Sequence, residues 1–441
     1  MKKLFKSGLN SFLLLSAAAA IFIFSTAFMS STEKTGSMHF HSDGRTCGTV
    51  EFNELQMQQY PQFRENRQRI EEYTKNYTHS ESRLLVTIPV VFHVVYNTAQ
   101  QNISDAQILS QIAVLNQDYA KLNSDTNLIP AVWKSIAANT QIQFCLAQRD
   151  PNGNPTTGIT RTSTNITAFT GSSDQRIFFT AQGGHDIWDR DRYLNIYVCN
   201  LGGGLLGYAQ FPGGNPQTDG TVNLYTAVGT TGVVNPPYDK GRTVTHEVGH
   251  WLNLFHIWGD EPDCNQDDQV SDTPLQGNSS SGCPTFPTTD ACQPNSPGIM
   301  FVNYMDYSND ACMYMFTSGQ STRMNAALSG PRASLLTSNG CIPIGITPIS
   351  TEIPAKYSLE QNYPNPFNPV TNIRFDITRS SQVSLKVYDA AGNEIAVLVN
   401  QALNAGTYNY DFDASNYPSG VYFYVLSAGE FTATKKMVLI K

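Results

Sequence analysis

The chain has 441 residues, enough for two or three domains, and carries a net charge of −8. Only 15% of its residues are charged and no basic block occurs, which argues against nucleic acid as a partner. Its content of Gly, Pro, Tyr and Phe suits a secreted globular protein rather than a disordered one.

The N-terminus places Lys2, Lys3 and Lys6 before an apolar run from Phe12 to Phe24, followed by the small residues Ser25, Thr26 and Ala27. This is the pattern of a secretory signal peptide, expected over residues 1–29. The run is too short for a comfortable membrane span, a retained anchor being the alternative, and no other stretch is apolar enough to cross a bilayer. Residues 30–83 are polar and mostly helix-like, with charges through Glu65–Glu72 and one isolated cysteine in Arg45-Thr46-Cys47-Gly48.

From Leu84 the texture changes. Leu85 to Tyr96 is a β-rich run expected to be buried on both faces, with His93 read as a packed strand residue rather than a ligand. Ser104 or Asp105 then caps a helix carrying Ile108, Ile112, Leu115 and Tyr119 at helical spacing. Ile142–Leu146 and Leu194–Cys199 read as further strands.

The next stretch organises the rest: Thr245-His246-Glu247-Val248-Gly249-His250-Trp251-Leu252-Asn253-Leu254-Phe255-His256. His246 and His250 lie one turn apart on one helix face, and Val244, Val248 and Leu252 form a core-facing stripe opposite. Two converging imidazoles suit Zn²⁺, which takes nitrogen ligands in tetrahedral array. For His256 to be the third ligand the helix must stop and turn near Asn253. Asparagine is the residue after glycine most tolerant of the left-handed conformation this needs. Three His ligands leave a fourth position for water, whose pKa zinc lowers to about 7, and Glu247 is placed to take its proton. A thiolate is also a good zinc ligand, so Cys47 is a candidate for that fourth position in a latent precursor.

A second motif follows, Asn303-Tyr304-Met305-Asp306-Tyr307. The long histidine consensus with a downstream Met-turn is the metzincin signature. Over roughly Leu84 to Cys341 the sequence resembles the pappalysin family of zinc endopeptidases, particularly its small ulilysin-like bacterial members, with Asn253 in place of the commoner glycine. That resemblance implies an α+β metzincin-type protease domain, with a mixed twisted sheet, helices and an irregular C-terminal subdomain. It makes Met305 the floor beneath the zinc site and Tyr307 the stabiliser of the tetrahedral intermediate. It likens the Cys47-Gly48 element to those of the family's pro-segments, and Gly202–Ala209 to the segment leading into the substrate-binding edge strand. An exposed strand edge can bind an extended peptide by β-augmentation.

Cys264, Cys283, Cys292 and Cys312 lie in the loop-rich half, where an exported protein forms disulfides, and four cysteines allow three pairings. The resemblance favours Cys264–Cys292 and Cys283–Cys312; Cys145, Cys199 and Cys341 are left unassigned. Asp267 to Thr273 clusters hard oxygen donors of the kind Ca²⁺ prefers, and the equivalent family loop binds calcium, which nominates Asp268, Asp272 and Thr273. Asp310, just after the Met-turn, matches an aspartate that in ulilysin-like proteins lines the pocket for the residue after the scissile bond and selects arginine. Self-cleavage before Arg83 would then mature the enzyme.

After Cys341 comes a Pro/Gly/Thr stretch, expected as a linker over 343–356. From Tyr357 the chain shows short alternating strands separated by Gly- and Asn-rich turns, the pattern of a small all-β sandwich. Its Asn365-Pro366-Phe367-Asn368-Pro369 start and its Lys435-Lys436-Met437-Val438-Leu439-Ile440-Lys441 end resemble the type IX secretion sorting domain. The expected organisation is therefore signal peptide 1–29, pro-segment 30–83, catalytic domain 84–342, linker, and sorting domain 357–441. The expected function is a secreted zinc endopeptidase, extracellular or surface-attached after passage through the periplasm. It would act on protein or peptide substrates, with the type IX machinery as partner; the rival class is a non-catalytic adhesin on the same scaffold.

Overall fold

The computed structural model describes residues 45–78, 85–260, 263–342, 345–350 and 352–441. The expected signal peptide and the expected maturation junction at Ser82-Arg83 lie outside the described residues. Two helices come first, α1 (Thr49–Gln59) and α2 (Gln62–Asn76).

The next portion is built on a mixed sheet. Its strands are β1 (Val86–Tyr96), β2 (Ile142–Leu146), β3 (Ile159–Ser163), β4 (Leu194–Cys199), β5 (Gly207–Ala209) and β6 (Thr221–Leu224). They run in the order β2-β1-β4-β6-β5, with β3 pairing the far half of β1. All pairs are parallel except β5, which runs antiparallel to β6 at the edge. β1 is paired on both sides and its apolar run is buried on both faces, one under helices and the other under residues such as Phe178 and Trp188. His93 within it is fully buried and bonded to Thr160 Oγ1 at 2.8 Å and Asn195 Oδ1 at 2.9 Å. Burial holds its pKa down at about 3, so it packs as a neutral residue.

One face of the sheet is covered by α3 (Asp105–Tyr119) and α4 (Arg242–Trp251). The Ser104 hydroxyl caps α3 by accepting from the Gln107 amide at 3.2 Å. Ile108, Leu115, Val244, Val248 and Leu252 enter one core with β1 and β4. Beyond α4 the chain is irregular up to α5 (Ser318–Ser329), which opens with a capping box between Thr317 and Gln320. Loops without a ladder of their own need other ties, and disulfides Cys264–Cys292 and Cys283–Cys312 lie in this region. A third disulfide joins Cys145 on β2 to Cys341, and Cys199 is buried and unbridged.

The C-terminal portion stacks two four-stranded antiparallel sheets. Their strands are β7 (Ile346–Ser350), β8 (Ser358–Leu359), β9 (Val370–Ile377), β10 (Ser381–Tyr388), β11 (Glu394–Leu403), β12 (Gly406–Asp413), β13 (Gly420–Ala428) and β14 (Phe431–Leu439). The orders are β11-β10-β13-β14 and β7-β12-β9-β8, with alternating inward residues such as Ile373, Phe375, Leu385 and Leu426 forming the core. The linker expectation needs correction here, because β7 falls inside 343–356 and pairs with β12. Pro348 hid it. Proline is tolerated on an edge strand, and β7 is one.

Candidate active site

α4 is short and wholly buried, and it presents His246 and His250 from one face. Asn253 has φ of 79°, the left-handed turn that lets the chain fold back and bring His256 to the other two. The three Nε2 atoms lie 3.0–3.1 Å from one another. Each opposite nitrogen is engaged: His246 Nδ1 with Tyr304 O at 2.7 Å, His250 Nδ1 with Leu254 O at 2.8 Å, and His256 Nδ1 with the Asp260 carboxylate. Protons held on the Nδ1 side leave three Nε2 lone pairs aimed at one point. Burial, then the neighbouring histidines, keep His246 and His250 far below the ordinary imidazole pKa and hence neutral. Three acceptors so close together repel unless a cation lies among them, so the donor set fits zinc. Cys47 joins these histidines, and the four ligand atoms all lie within 4.8 Å of one another.

Glu247 points into the same space. Burial pushes its pKa up to about 7, against the lowering effect of hydrogen bonds from the Cys47 thiol at 3.3 Å and the Thr49 hydroxyl at 3.2 Å. Two glycines make room for this arrangement. A Cβ on Gly207 would lie 2.7 Å from Glu247 Oε1, and one on Gly249 would lie 2.5 Å from Met305 Sδ. Met305 is thus buried directly against the zinc helix. Tyr307 sits with its ring 5.0 Å from that of His256 and 4.7 Å from that of Trp258, which itself stacks on His256. Its hydroxyl accepts from the Cys47 amide at 3.2 Å and donates to the Cys47 carbonyl at 3.4 Å.

The segment around Cys47 lies along β5 as an added strand. The Leu206 amide donates to Thr46 O and the Gly48 amide to Gly207 O, both at 2.9 Å. Further along, Asn53 of α1 donates to Ala209 O and accepts from the Phe211 amide, both at 2.9 Å, so a side chain continues the pairing. On the other side of Cys47, Arg45 is buried and its guanidinium meets the Asp310 carboxylate, with a second bond to Thr243 Oγ1 at 3.2 Å. Asp310 is fixed in turn by the amides of Lys240 at 2.8 Å and Arg242 at 3.2 Å, at the N-terminus of α4.

Asp268, Asp272 and Thr273 belong to a separate loop. Thr273 Oγ1 donates to Asp268 Oδ1 at 2.7 Å, whereas Asp268 Oδ2 is buried without a protein partner. Burial raises the Asp268 pKa to about 7. Asp272 accepts from Thr317 Oγ1 at 2.6 Å and the Gly319 amide at 2.8 Å, so its oxygens serve the start of α5.

Sequence reasoning missed several participants. Arg45 stands two residues before Cys47, the spacing at which an extended segment reaches a neighbouring pocket. Asp260 stands four residues after His256, a signal that was there to read. Buried Asp118 gave none: it accepts from Tyr304 Oη at 2.9 Å, Thr245 Oγ1 at 2.8 Å and Arg242 at 3.3 Å, tying α3 to α4 and the Met-turn.

Comparison with known proteins gives two family matches. Residues 180–329 match the peptidase family described as pregnancy-associated plasma protein-A, and residues 361–441 match the secretion system C-terminal sorting domain. An extracellular metalloprotease of Arthroderma otae is 32% identical over 253 residues, covering 56% of this chain and 80% of that protein. Extracellular metalloprotease 1 of Coccidioides posadasii is 32% identical over 298 residues, covering 64% and 88%. Among solved structures, Tannerella forsythia promirolysin is 49% identical with a TM-score of 0.61, covering 66% of this chain and 97% of that one. Mature mirolysin in complex with a cleaved peptide is 52% identical with a TM-score of 0.56, covering 58% and 97%.

Proposed function

The chain belongs to the pregnancy-associated plasma protein-A family of metallopeptidases, the pappalysins, and we propose from this that it cuts proteins before arginine, using zinc held by His246, His250 and His256. It is a secreted metalloendopeptidase with a C-terminal sorting domain. The observation that carries the mechanistic reading is the convergence of three imidazole Nε2 atoms beside the Glu247 carboxylate. When bound, zinc supplies a Lewis acid that polarises a carbonyl and makes water a nucleophile near neutral pH.

The protein residues do the rest. An extended substrate pairs with β5, where Thr46 and Gly48 now pair. Glu247 takes a proton from the attacking water and returns it to the leaving amine. Tyr307 donates a hydrogen bond to the developing oxyanion, from the hydroxyl that now holds the Cys47 backbone. Asp310 pairs with the guanidinium of the residue after the scissile bond, as it does with Arg45, and such charge-assisted bonds are strong and directional.

The residues from Arg45 to α2 act as a pro-segment. Cys47 supplies a thiolate to the zinc, Arg45 fills the arginine pocket, and the chain stays latent until this segment is cut away; the Ser82-Arg83 junction is the cleavage we propose. Calcium binds the loop of Asp268, Asp272 and Thr273, supported by the unpartnered buried Oδ2 of Asp268. The tail engages the type IX secretion machinery.

The test is digestion of a peptide library by the purified mature protein. Cleavage before arginine, lost on zinc chelation and restored by added zinc, is the expected result. Cleavage indifferent to chelation would refute the zinc reading, and cleavage without regard to arginine would refute the pocket.

A further inference from the structure

On the side of the histidine cluster away from Asp310, α2 docks through a charged residue pair. Arg67 donates to Asn253 Oδ1 at 2.5 Å and to Glu71 Oε1 at 2.7 Å. Glu71 receives the Arg323 guanidinium on both oxygens, at 2.7 and 2.6 Å, and the Asn253 side-chain amide at 3.3 Å. Arg323 belongs to α5 and is built in: it is 4% exposed, its Nε donates to Asn253 O at 2.6 Å, and its guanidinium lies 4.7 Å from the centre of the Phe255 ring. Phe211, just past β5, packs at 5.2 Å from Phe255 and 5.6 Å from His250, so this place adjoins the metal cluster. A cavity of about 590 Å³ opens between α1, α2 and these two rings.

Arg67 and Glu71 leave with the pro-segment, but Arg323 and Asn253 stay. Without α2 the Arg323 guanidinium has lost its carboxylate, while its Nε bond to Asn253 O and its seat over the Phe255 ring keep Nη2 aimed at the point where an anionic group can sit. Asn253 adds a neutral donor to the same point. The two phenylalanine rings would flank the alkyl part of an incoming side chain.

We propose that Arg323 and Asn253, walled by Phe211 and Phe255, form a carboxylate-recognition subsite for substrate residues on the amino-terminal side of the scissile bond. Glu71 fills it in the latent chain, and an aspartate or glutamate of the substrate fills it afterwards. The side follows from β5: Arg45 and the Asp310 pocket take the residue after the bond, so Phe211 and Arg323, at the opposite end of the same edge, face the residues before it. The inference rests on the proteolytic reading and on release of the pro-segment. It makes the preferred substrate bipolar, with an acidic residue upstream and an arginine immediately downstream of the cut.

The test uses mature protein and quenched-fluorescence peptides with a fixed arginine after the cleavage point, each made as a glutamate and glutamine pair at one of the four preceding positions. At one position the glutamate peptide should show kcat/KM on the order of tenfold higher, the effect of about 1.4 kcal/mol expected of a charged hydrogen bond. The ratio should fall to near one in Arg323→Gln. Where that variant does not fold, Arg323→Lys, which keeps the charge and loses the fork, should lower the ratio without abolishing it. Equal rates for every pair in the wild type would overturn the subsite and leave proteolysis standing. A ratio that persists undiminished in the Arg323 variants would overturn the assignment to Arg323. No cleavage of any peptide would overturn the proteolytic reading, and the subsite with it.

Discussion

The sulfur of Cys47 lies 3.3 Å from Oε2 of Glu247, although the two residues are 200 positions apart. The thiol and the carboxylate therefore contend for one small volume, and a substrate carbonyl cannot enter while Cys47 is there. A full-length Cys47→Ala precursor is expected to hydrolyse a small peptide before any processing, on the order of tenfold faster than the wild-type precursor. Arg45 still fills its pocket in that variant, so the release should be partial. Equal latency of the two precursors, followed by gel and fluorescence, would refute the role of the thiol.

Glu247 handles a proton and does not hold the metal in this scheme. Glu247→Ala should lose proteolysis by a factor on the order of 10²–10⁴ while retaining zinc. Metal content by mass spectrometry alongside peptide turnover separates the two effects. More than about 1% residual turnover would place the base elsewhere.

Asp310 is buried and is held by two backbone amides and by Arg45. Asp310→Ala should erase the preference for arginine after the cut, read as the cleavage profile of the mature protein on a peptide library. Asp310→Asn keeps the amide contacts and removes the charge, so it should reduce the preference with less loss of fold. An unchanged profile in both variants would exclude this pocket as the arginine site.

Asp268 gives a pH-dependent expectation. Its pKa in the fold, about 7, stands above the unfolded value of about 3.9. The folded chain therefore holds a proton there that the unfolded chain has lost, and stability falls as pH rises through this window. A calcium ion reverses the preference by favouring the carboxylate. The drop in Tm on adding a calcium chelator should be larger at pH 8 than at pH 5. A chelator effect equal at both pH values would argue against Asp268 as a ligand.

The strand Ile346–Ser350 changes where the tail should be cut. Removing Tyr357–Lys441 strands β7 without its partner β12, whereas removing Ile346–Lys441 takes the whole sandwich. The shorter protein should remain proteolytically active and accumulate in the periplasm, as fractionation and activity assays would report. Normal appearance outside the cell would refute the sorting role.

The legible parts of this chain were local ones. His246 and His250 share a helix face four residues apart, and the turn at Asn253 follows from the need to return His256 to them. The flanking valines and leucines gave the buried face of α4 by their spacing. What escaped reading was long-range and polar. Arg45 and Asp310 are 265 residues apart, and Arg323 and Glu71 are 252 apart; nothing in either neighbourhood specifies the other. Such pairs form only once the sheet and helices have set the distances. The same holds for Asp118, an ordinary helix residue until Arg242 is packed against it.

The Cys145–Cys341 bridge closes a loop spanning 196 positions, worth about 5 kcal/mol in unfolded-chain entropy by the loop-closure estimate. It also sets a path for force. Tension drawn on the tail reaches Cys341 and crosses by a covalent bond to β2, which is hydrogen-bonded to the central strand β1. The helix α5, the loop of Asp268 and the Met-turn lie between these cysteines in sequence but off that path. A chain hauled or tethered by its C-terminus would carry the load through its sheet and leave the histidine cluster unstretched.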